Sequence, residues 1–337
     1  MSMKLFCGSS YRDLGERIAN HIGIPLGEIS LDNFADGEVN IFVGESVRNC
    51  ECVIIQSTSQ CRGKSVNDIL MELLIIIDAL KRGSASKVVV VMPFFGYSRA
   101  DRKDYSRAPI SAKVVASSLE AQNVNRIISC DLHSGQISGF FSNNCPMDNL
   151  YNEVYFVDYI KYHIIPAYGE NIVIVAPDEG AVKSAIRVAG KLNVSAATIF
   201  KNRERANEVA SMCLMGDVNR KVAILIDDMI DTGGTACKAA STLRDNGAKN
   251  IFMLATHGLF SGPAISRIKD SCFDKVIVTN TVCPRRETIE CNKIKIIDVS
   301  WMIAEAIKRQ HDGTSLSELY LDGNVLRDHS GFNFVTN

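Results

Sequence analysis

The chain has almost no excess of charge: 37 Lys and Arg stand against 38 Asp and Glu, a formal net charge of −1 over 337 residues. So small a field draws in neither a nucleic acid nor an anionic membrane, and any bound anion has to be held locally. Long apolar runs are missing too. No stretch approaches the ~20 apolar residues of a membrane span, and the apolar run within residues 1–15 is too short for a signal peptide. The eleven cysteines, at positions 7, 50, 52, 61, 130, 145, 213, 237, 272, 283 and 291, make no Cys-x-x-Cys pair and no zinc spacing. They read as reduced thiols, and the expected location is the cytoplasm. Two phosphate-binding signatures are also absent: the Gly-x-x-x-x-Gly-Lys-Ser/Thr loop of nucleoside triphosphatases, and a Gly-x-Gly-x-x-Gly turn following a strand.

What is present is apolar sequence enough for two cores: 46% of the chain is hydrophobic, and single cores stop growing near ~250–300 residues. Short runs rich in Val and Ile alternate with helical patterns at 53–56, 87–92, 126–130, 172–176, 196–200, 222–226, 250–255, 275–279 and 293–298. Unbroken apolar runs, rather than in-and-out alternation, predict strands covered on both faces, so the expected class is α/β with a mainly parallel sheet flanked by helices. A gapless comparison at an offset of 124 residues sets 111–133 against 235–257. Ala112 then meets Ala236, Ala116 meets Ala240, Leu119 meets Leu243, and His133 meets His257. Two copies of one α/β unit are expected, spanning 1–149 and 150–337, joined through the polar stretch 146–152, with the final segment returning to the first copy.

The most informative segment runs from Val222 to Thr235. An apolar strand feeds Asp227 and Asp228, then Asp231-Thr232-Gly233-Gly234-Thr235, then a helix over 236–245. Glycines let backbone N–H groups close around a phosphate, Thr232 and Thr235 add hydroxyls, and the helix N-terminus favours negative charge. The paired carboxylates, at a strand's carboxyl end, are suited to accept hydrogen bonds from vicinal ribose hydroxyls.

This combination resembles the phosphoribosyl-binding loop of type I phosphoribosyltransferases, and further blocks narrow the resemblance. Phe34-Ala-Asp-Gly-Glu38 and 44–48, Pro93–Asp104 and 106–113, 130–134 with 139–141, 176–178, Lys201–Val209 and 256–265 are similar, in order, to blocks of the ribose-phosphate pyrophosphokinases, in particular the phosphate-activated, ADP-inhibited class. The resemblance implies two tandem phosphoribosyltransferase-like domains, the first binding ATP and the second ribose 5-phosphate. It also implies transfer of pyrophosphate from ATP to the sugar 1-hydroxyl, giving AMP and phosphoribosyl pyrophosphate for nucleotide biosynthesis.

By the same resemblance, Phe34, Asp36, Gly37, Glu38, Arg99, Ala100, Asp104 and His133 contact ATP, the adenine lying across a subunit boundary in a hexamer. Asp178, Asp227, Asp228, Asp231, Thr232, Gly233, Gly234 and Thr235 hold ribose 5-phosphate. His133, Asp178 and Asp131 serve Mg²⁺, and Lys201 and Arg203 are the catalytic cations. Ser46, Arg48, Ser84, Arg107, Ser315 and Ser317 form a regulatory site for phosphate, the expected activator, or ADP. Three departures from the family pattern stand out: Ala100 where Gln is usual, Ser142 where a carboxylate is common, and a stretch at 57–65 that looks extended. The alternatives are a catalytically poor regulatory subunit, or a phosphoribosyltransferase that consumes rather than makes phosphoribosyl pyrophosphate.

Overall fold

Runs of Val and Ile become strands with both faces covered. The computed structural model describes residues 1–202, 211–320 and 334–335. In chain order the strands are β1 (Met3–Cys7), β2 (Ile29–Asn33), β3 (Val39–Val43), β4 (Glu51–Ile55), β5 (Lys87–Met92), β6 (Arg126–Cys130) and β7 (Met147–Leu150), then β8 (Ile172–Ala176), β9 (Ser195–Asn202), β10 (Ser211–Met215), β11 (Val222–Ile230), β12 (Asn250–Gly258), β13 (Lys275–Thr279) and β14 (Ile294–Ile297). All five residues of β4 and of β8 are buried, as continuous rather than alternating hydrophobicity requires.

The chain divides into two units. The first comprises residues 1–151 and 281–283, joined by the stretch from Val299 through Tyr320. Its sheet is parallel throughout, in the order β1-β4-β5-β6-β7, and β2 and β3 form a separate antiparallel hairpin. The second comprises 152–280, 284–298 and residues 334–335. Its sheet runs β10-β9-β8-β11-β12-β13-β14, parallel except for the β10–β9 edge. Among the described residues no helix is long and apolar enough to cross a membrane.

The internal repeat is visible at the level of single residues. Helix Ser111–Ala121 buries Ala112, Val115, Ala116 and Leu119, and helix Gly234–Asp245 buries Ala236, Ala239, Ala240 and Leu243, the same four positions 124 residues on. The next strands, β6 and β12, begin at equivalent positions as well. Each buried set follows helical spacing and faces its own sheet, so each unit has a separate core. Leu119 and Leu243 are both fully buried. Truncating either to Ala is expected to cost about 3 kcal/mol through lost apolar contact and the cavity left behind. Denaturant unfolding that shows no loss for one of the two would contradict their equivalence.

Polar sequence hides one strand. The 146–152 stretch, which reads as a linker, contains β7, paired along its length with β6 and pinned by an ion pair between Arg126 and Asp148 at 2.5 Å.

In the first unit the carboxyl ends of β1 and β4 are closed by a buried polar cluster on helix Val66–Arg82. The Glu72 carboxylate accepts from the Ser9 backbone N–H at 2.8 Å, the Ser9 hydroxyl at 2.7 Å, Gln56 Nε2 at 2.7 Å and Lys64 Nζ at 2.7 Å. The helix itself starts on a reciprocal cap, in which Ser65 Oγ accepts from the Asp68 N–H and the Asp68 carboxylate accepts from the Ser65 N–H.

Candidate active site

Strand order fixes where a ligand can sit in the second unit. From β8 the chain first builds β9 on one side, then returns to build β11 on the other, so connections leave the carboxyl ends of β8 and β11 in opposite directions and open a crevice there. Pairing between these strands ends at Leu225–Val175, whereas β11 runs on to Ile230 along β12. Asp227 and Asp228 lie in that overhang, half-buried, and Asp178 follows the end of β8, its Oδ1 accepting from the Gly180 N–H at 3.0 Å.

Burial, followed by the charge of Asp228, a hydrogen bond from it, and the charge of Asp178, pushes the Asp227 carboxyl well above the usual carboxylate range. Carboxylates crowded in this way are relieved by hydroxyl donors or by a cation.

The turn after β11 is held from outside. The Ser261 N–H donates to Asp231 O at 3.0 Å, and Arg267 Nη1 donates to Thr232 O at 3.0 Å. Gly233 sits at φ 72°, in the left-handed region, as the residue before helix Gly234–Asp245, and its carbonyl accepts from the Cys237 N–H at 2.9 Å. An added Cβ at Gly233 meets only ordinary contacts with Ala264, from 3.6 Å, so backbone conformation rather than space requires glycine. The result is a cluster of N–H groups at a helix N-terminus, with the hydroxyl-bearing Thr232 and Thr235 exposed beside it. One end suits a phosphate and the other suits hydroxyls.

In the first unit, Phe34–Glu38 forms the turn of the β2–β3 hairpin. The Gly37 N–H donates to Phe34 O at 2.9 Å, the Phe34 N–H donates to Glu38 O at 2.8 Å, and Gly37 takes φ 95°. Phe34 is 54% exposed, so its ring is no part of this unit's core. The segment after β5 starts from a tight clasp: Thr58 Oγ1 donates to Phe94 O at 2.9 Å and accepts from the Gly96 N–H at 2.7 Å. A Cβ on Gly96 would lie 2.6 Å from Thr58 O, which excludes other residues. Beyond it Arg99 and Asp104 are exposed, the latter paired with Arg102 at 2.8 Å. Ala100 contributes its carbonyl, which accepts from the Ala112 N–H at 3.2 Å at the start of helix Ser111–Ala121. That backbone role is indifferent to the missing glutamine side chain.

The two equivalent histidines have different fates. After β6, Asp131 takes φ 32° and ends the strand, its N–H donating to Leu150 O at 2.8 Å, so that His133 emerges exposed. In the second unit the equivalent Ala255 continues β12, and His257 is buried within the sheet, bridged to Asn280. The two copies thus diverge two residues before the histidine, where β6 has ended and β12 continues.

The six residues grouped as regulatory are all exposed: Ser46, Arg48, Ser84, Arg107, Ser315 and Ser317. Ser84 and Arg107 carry left-handed backbones at φ 67° and φ 64°. The Asn49 N–H donates to Ser84 O at 3.0 Å, which brings the Arg48 segment beside Ser84, and Arg309 Nη1 donates to Ser315 O at 2.7 Å. Of the two residues expected from sequence to be catalytic cations, Lys201 lies in β9 opposite Met212, and Arg203 lies outside the described residues. Sequence reasoning missed the Glu72 cluster, although the Ser65-x-x-Asp68 cap signals its helix.

The chain matches two known domains: the N-terminal domain of ribose phosphate pyrophosphokinase over residues 3–122, and the phosphoribosyl synthetase-associated domain over residues 202–321. Among solved structures, the phosphoribosylpyrophosphate synthetase of Mycobacterium smegmatis is 35% identical, with a TM-score of 0.85 over 93% of this chain and 100% of that one. An adenine phosphoribosyl transferase from Trypanosoma brucei is 23% identical, with a TM-score of 0.29 over 40% of this chain and 65% of that one. With 35% identity over the full length of the mycobacterial enzyme and two matching family domains, the chain belongs to the ribose-phosphate pyrophosphokinase family.

Proposed function

We propose that this protein transfers pyrophosphate from ATP to the 1-hydroxyl of ribose 5-phosphate, producing phosphoribosyl pyrophosphate and AMP. The observation that carries this reading is the left-handed Gly233 turn beside Asp227 and Asp228 at the switch point of the second sheet, in a chain that matches a phosphoribosylpyrophosphate synthetase over 93% of its length. In the mechanism, the Asp231–Thr235 turn holds the 5-phosphate through backbone N–H groups and the hydroxyls of Thr232 and Thr235. Asp227 and Asp228 accept hydrogen bonds from the ribose hydroxyls and so fix the 1-hydroxyl toward the β-phosphorus.

Phe34 stacks on adenine, with Asp36, Gly37 and Glu38 around the base, while Arg99, Ala100, Asp104 and His133 line the triphosphate. Lys201 and Arg203 neutralise the charge that spreads over the transferring group. Asp131, His133 and Asp178 offer oxygen and imidazole donors for Mg²⁺. When bound, Mg²⁺ supplies charge neutralisation to the phosphates.

The exposed Phe34 and the 70% exposed Phe42, both on the β2–β3 hairpin, suit a subunit boundary, and a hexamer is the assembly proposed. A regulatory site for phosphate or ADP at Ser46, Arg48, Ser84, Arg107, Ser315 and Ser317, and a cytoplasmic setting, complete the proposal.

Gly233→Val tests the sugar-phosphate site. A β-branched residue at φ 72° costs about 1–2 kcal/mol, so the KM for ribose 5-phosphate is expected to rise by roughly 5- to 30-fold while the KM for ATP holds. Steady-state kinetics with an unchanged KM for ribose 5-phosphate would remove the turn from the site.

A further inference from the structure

The extended stretch at 57–65 finds a partner far away in sequence. Within the first unit it packs against residues 281–283, a three-residue excursion of the chain into this unit. The Ser57 hydroxyl donates to Thr281 O at 2.6 Å, a contact from which water is excluded because both residues are buried. Four residues after Ser57, Cys61 is held by paired backbone hydrogen bonds with Lys64, at 3.2 and 2.9 Å, across a tight turn in which Arg62 and Gly63 take φ 49° and 85°. Two residues after Thr281, the half-buried Cys283 thiol hydrogen-bonds to the Cys61 sulfur. Two fixed backbones therefore hold two thiols in contact, and Cys61 is only 7% exposed.

We propose that Cys61 and Cys283 are a modification site: a dithiol that a peroxide converts to a disulfide, fastening the 57–65 loop to the 281–283 segment. The Cys283 sulfur, the more exposed of the two, attacks a peroxide oxygen. An S–O bond forms, the O–O bond breaks, and the thiol proton leaves with the second oxygen as water. The Cys61 sulfur then attacks the resulting sulfenic acid. The S–S bond forms, the S–O bond breaks, and the Cys61 proton leaves with the hydroxyl as a second water. Two thiols give up two electrons and the peroxide is reduced to two waters.

At rest the mutual hydrogen bond, with burial and the neighbouring sulfur adding to it, holds the Cys283 thiol well above the ordinary range. The pair therefore rests as protonated thiols and oxidises slowly. Because Thr58 also clasps Phe94 and Gly96, the tether reaches the base of the segment that carries Arg99.

The test treats the full-length protein with hydrogen peroxide, caps remaining thiols with N-ethylmaleimide under denaturing conditions, and maps peptides by mass spectrometry before and after dithiothreitol. The expected result is one linked peptide joining Cys61 to Cys283, joint loss of capping at both, and recovery of both with dithiothreitol. A faster-migrating band on a non-reducing gel should be absent in Cys283→Ser. Separate capping of Cys61 and Cys283 while the oxidant is consumed elsewhere, at the exposed Cys213 or between the neighbouring Cys237 and Cys272, would overturn the proposal. Neither readout requires the enzymatic activity.

Discussion

Glu72→Ala is expected to lower the stability of the first unit by about 3–5 kcal/mol, the cost of breaking a buried charged pair while its partners stay in place. The Glu72 side chain is 1% exposed and the Lys64 side chain 28%. Removing the carboxylate leaves the buried Gln56 amide and the Ser9 N–H and hydroxyl without their acceptor. Burial pushes the Glu72 pKa up, yet hydrogen bonds from Lys64, Ser9 and Gln56 outweigh it and hold the carboxyl below its ordinary value.

A carboxylate whose folded pKa is depressed binds fewer protons folded than unfolded. Its stabilisation is therefore complete above the unfolded value of about 4.3 and is lost as the pH falls through the lower folded value. Lys64→Ala removes the counter-charge, so the acid side of the stability curve moves to higher pH. Urea unfolding across an acid pH series checks both. A loss below ~1 kcal/mol at neutral pH for Glu72→Ala, or an unmoved acid limb for Lys64→Ala, would contradict this account.

The second large effect concerns turnover. Lys201→Ala is expected to reduce kcat by about 10²–10³, equivalent to roughly 3–4 kcal/mol of barrier, with little change in the KM for ATP. The argument is chemical. Moving a pyrophosphoryl group spreads negative charge over oxygens that are less exposed to water than in free ATP, and a cation that meets them only in the transition state acts on kcat rather than on binding. The β9–β10 pair gives Lys201 a strand position one residue before β9 ends at Asn202. Rapid-quench measurement of AMP formation checks the prediction, and near-normal turnover would remove Lys201 from the catalytic group.

The interior of the fold was legible because continuous Val and Ile runs have few alternatives to a doubly covered strand. The boundaries read for β5, β6, β8 and β13 coincide with those in the structure. Strands that draw their reason from a neighbour were not legible. Met147-Asp148-Asn149-Leu150 has the composition of a linker and becomes β7 through pairing with β6, while β2 and β3 alternate only weakly between half-buried and exposed positions.

The candidate site divides in the same way. Asp227, Asp228 and the turn through Thr235 form one local motif whose residues each have a geometric reason, so the segment announced itself. His133 and His257 look alike in the repeat, yet the left-handed Asp131 follows the end of β6 where the equivalent Ala255 continues β12. Likewise, the Glu72 cluster joins residues as far as 63 positions apart, and Cys61 meets Cys283 across most of the chain; no spacing rule reaches that far.

The most direct test is to follow ATP, ribose 5-phosphate and Mg²⁺ with the purified enzyme by phosphorus NMR. The account predicts AMP and a sugar carrying both the β- and γ-phosphorus of ATP at carbon 1, formed in equal amounts and only when the pentose phosphate is present. ADP together with a singly phosphorylated carbon 1, or AMP released without the pentose phosphate, would contradict it.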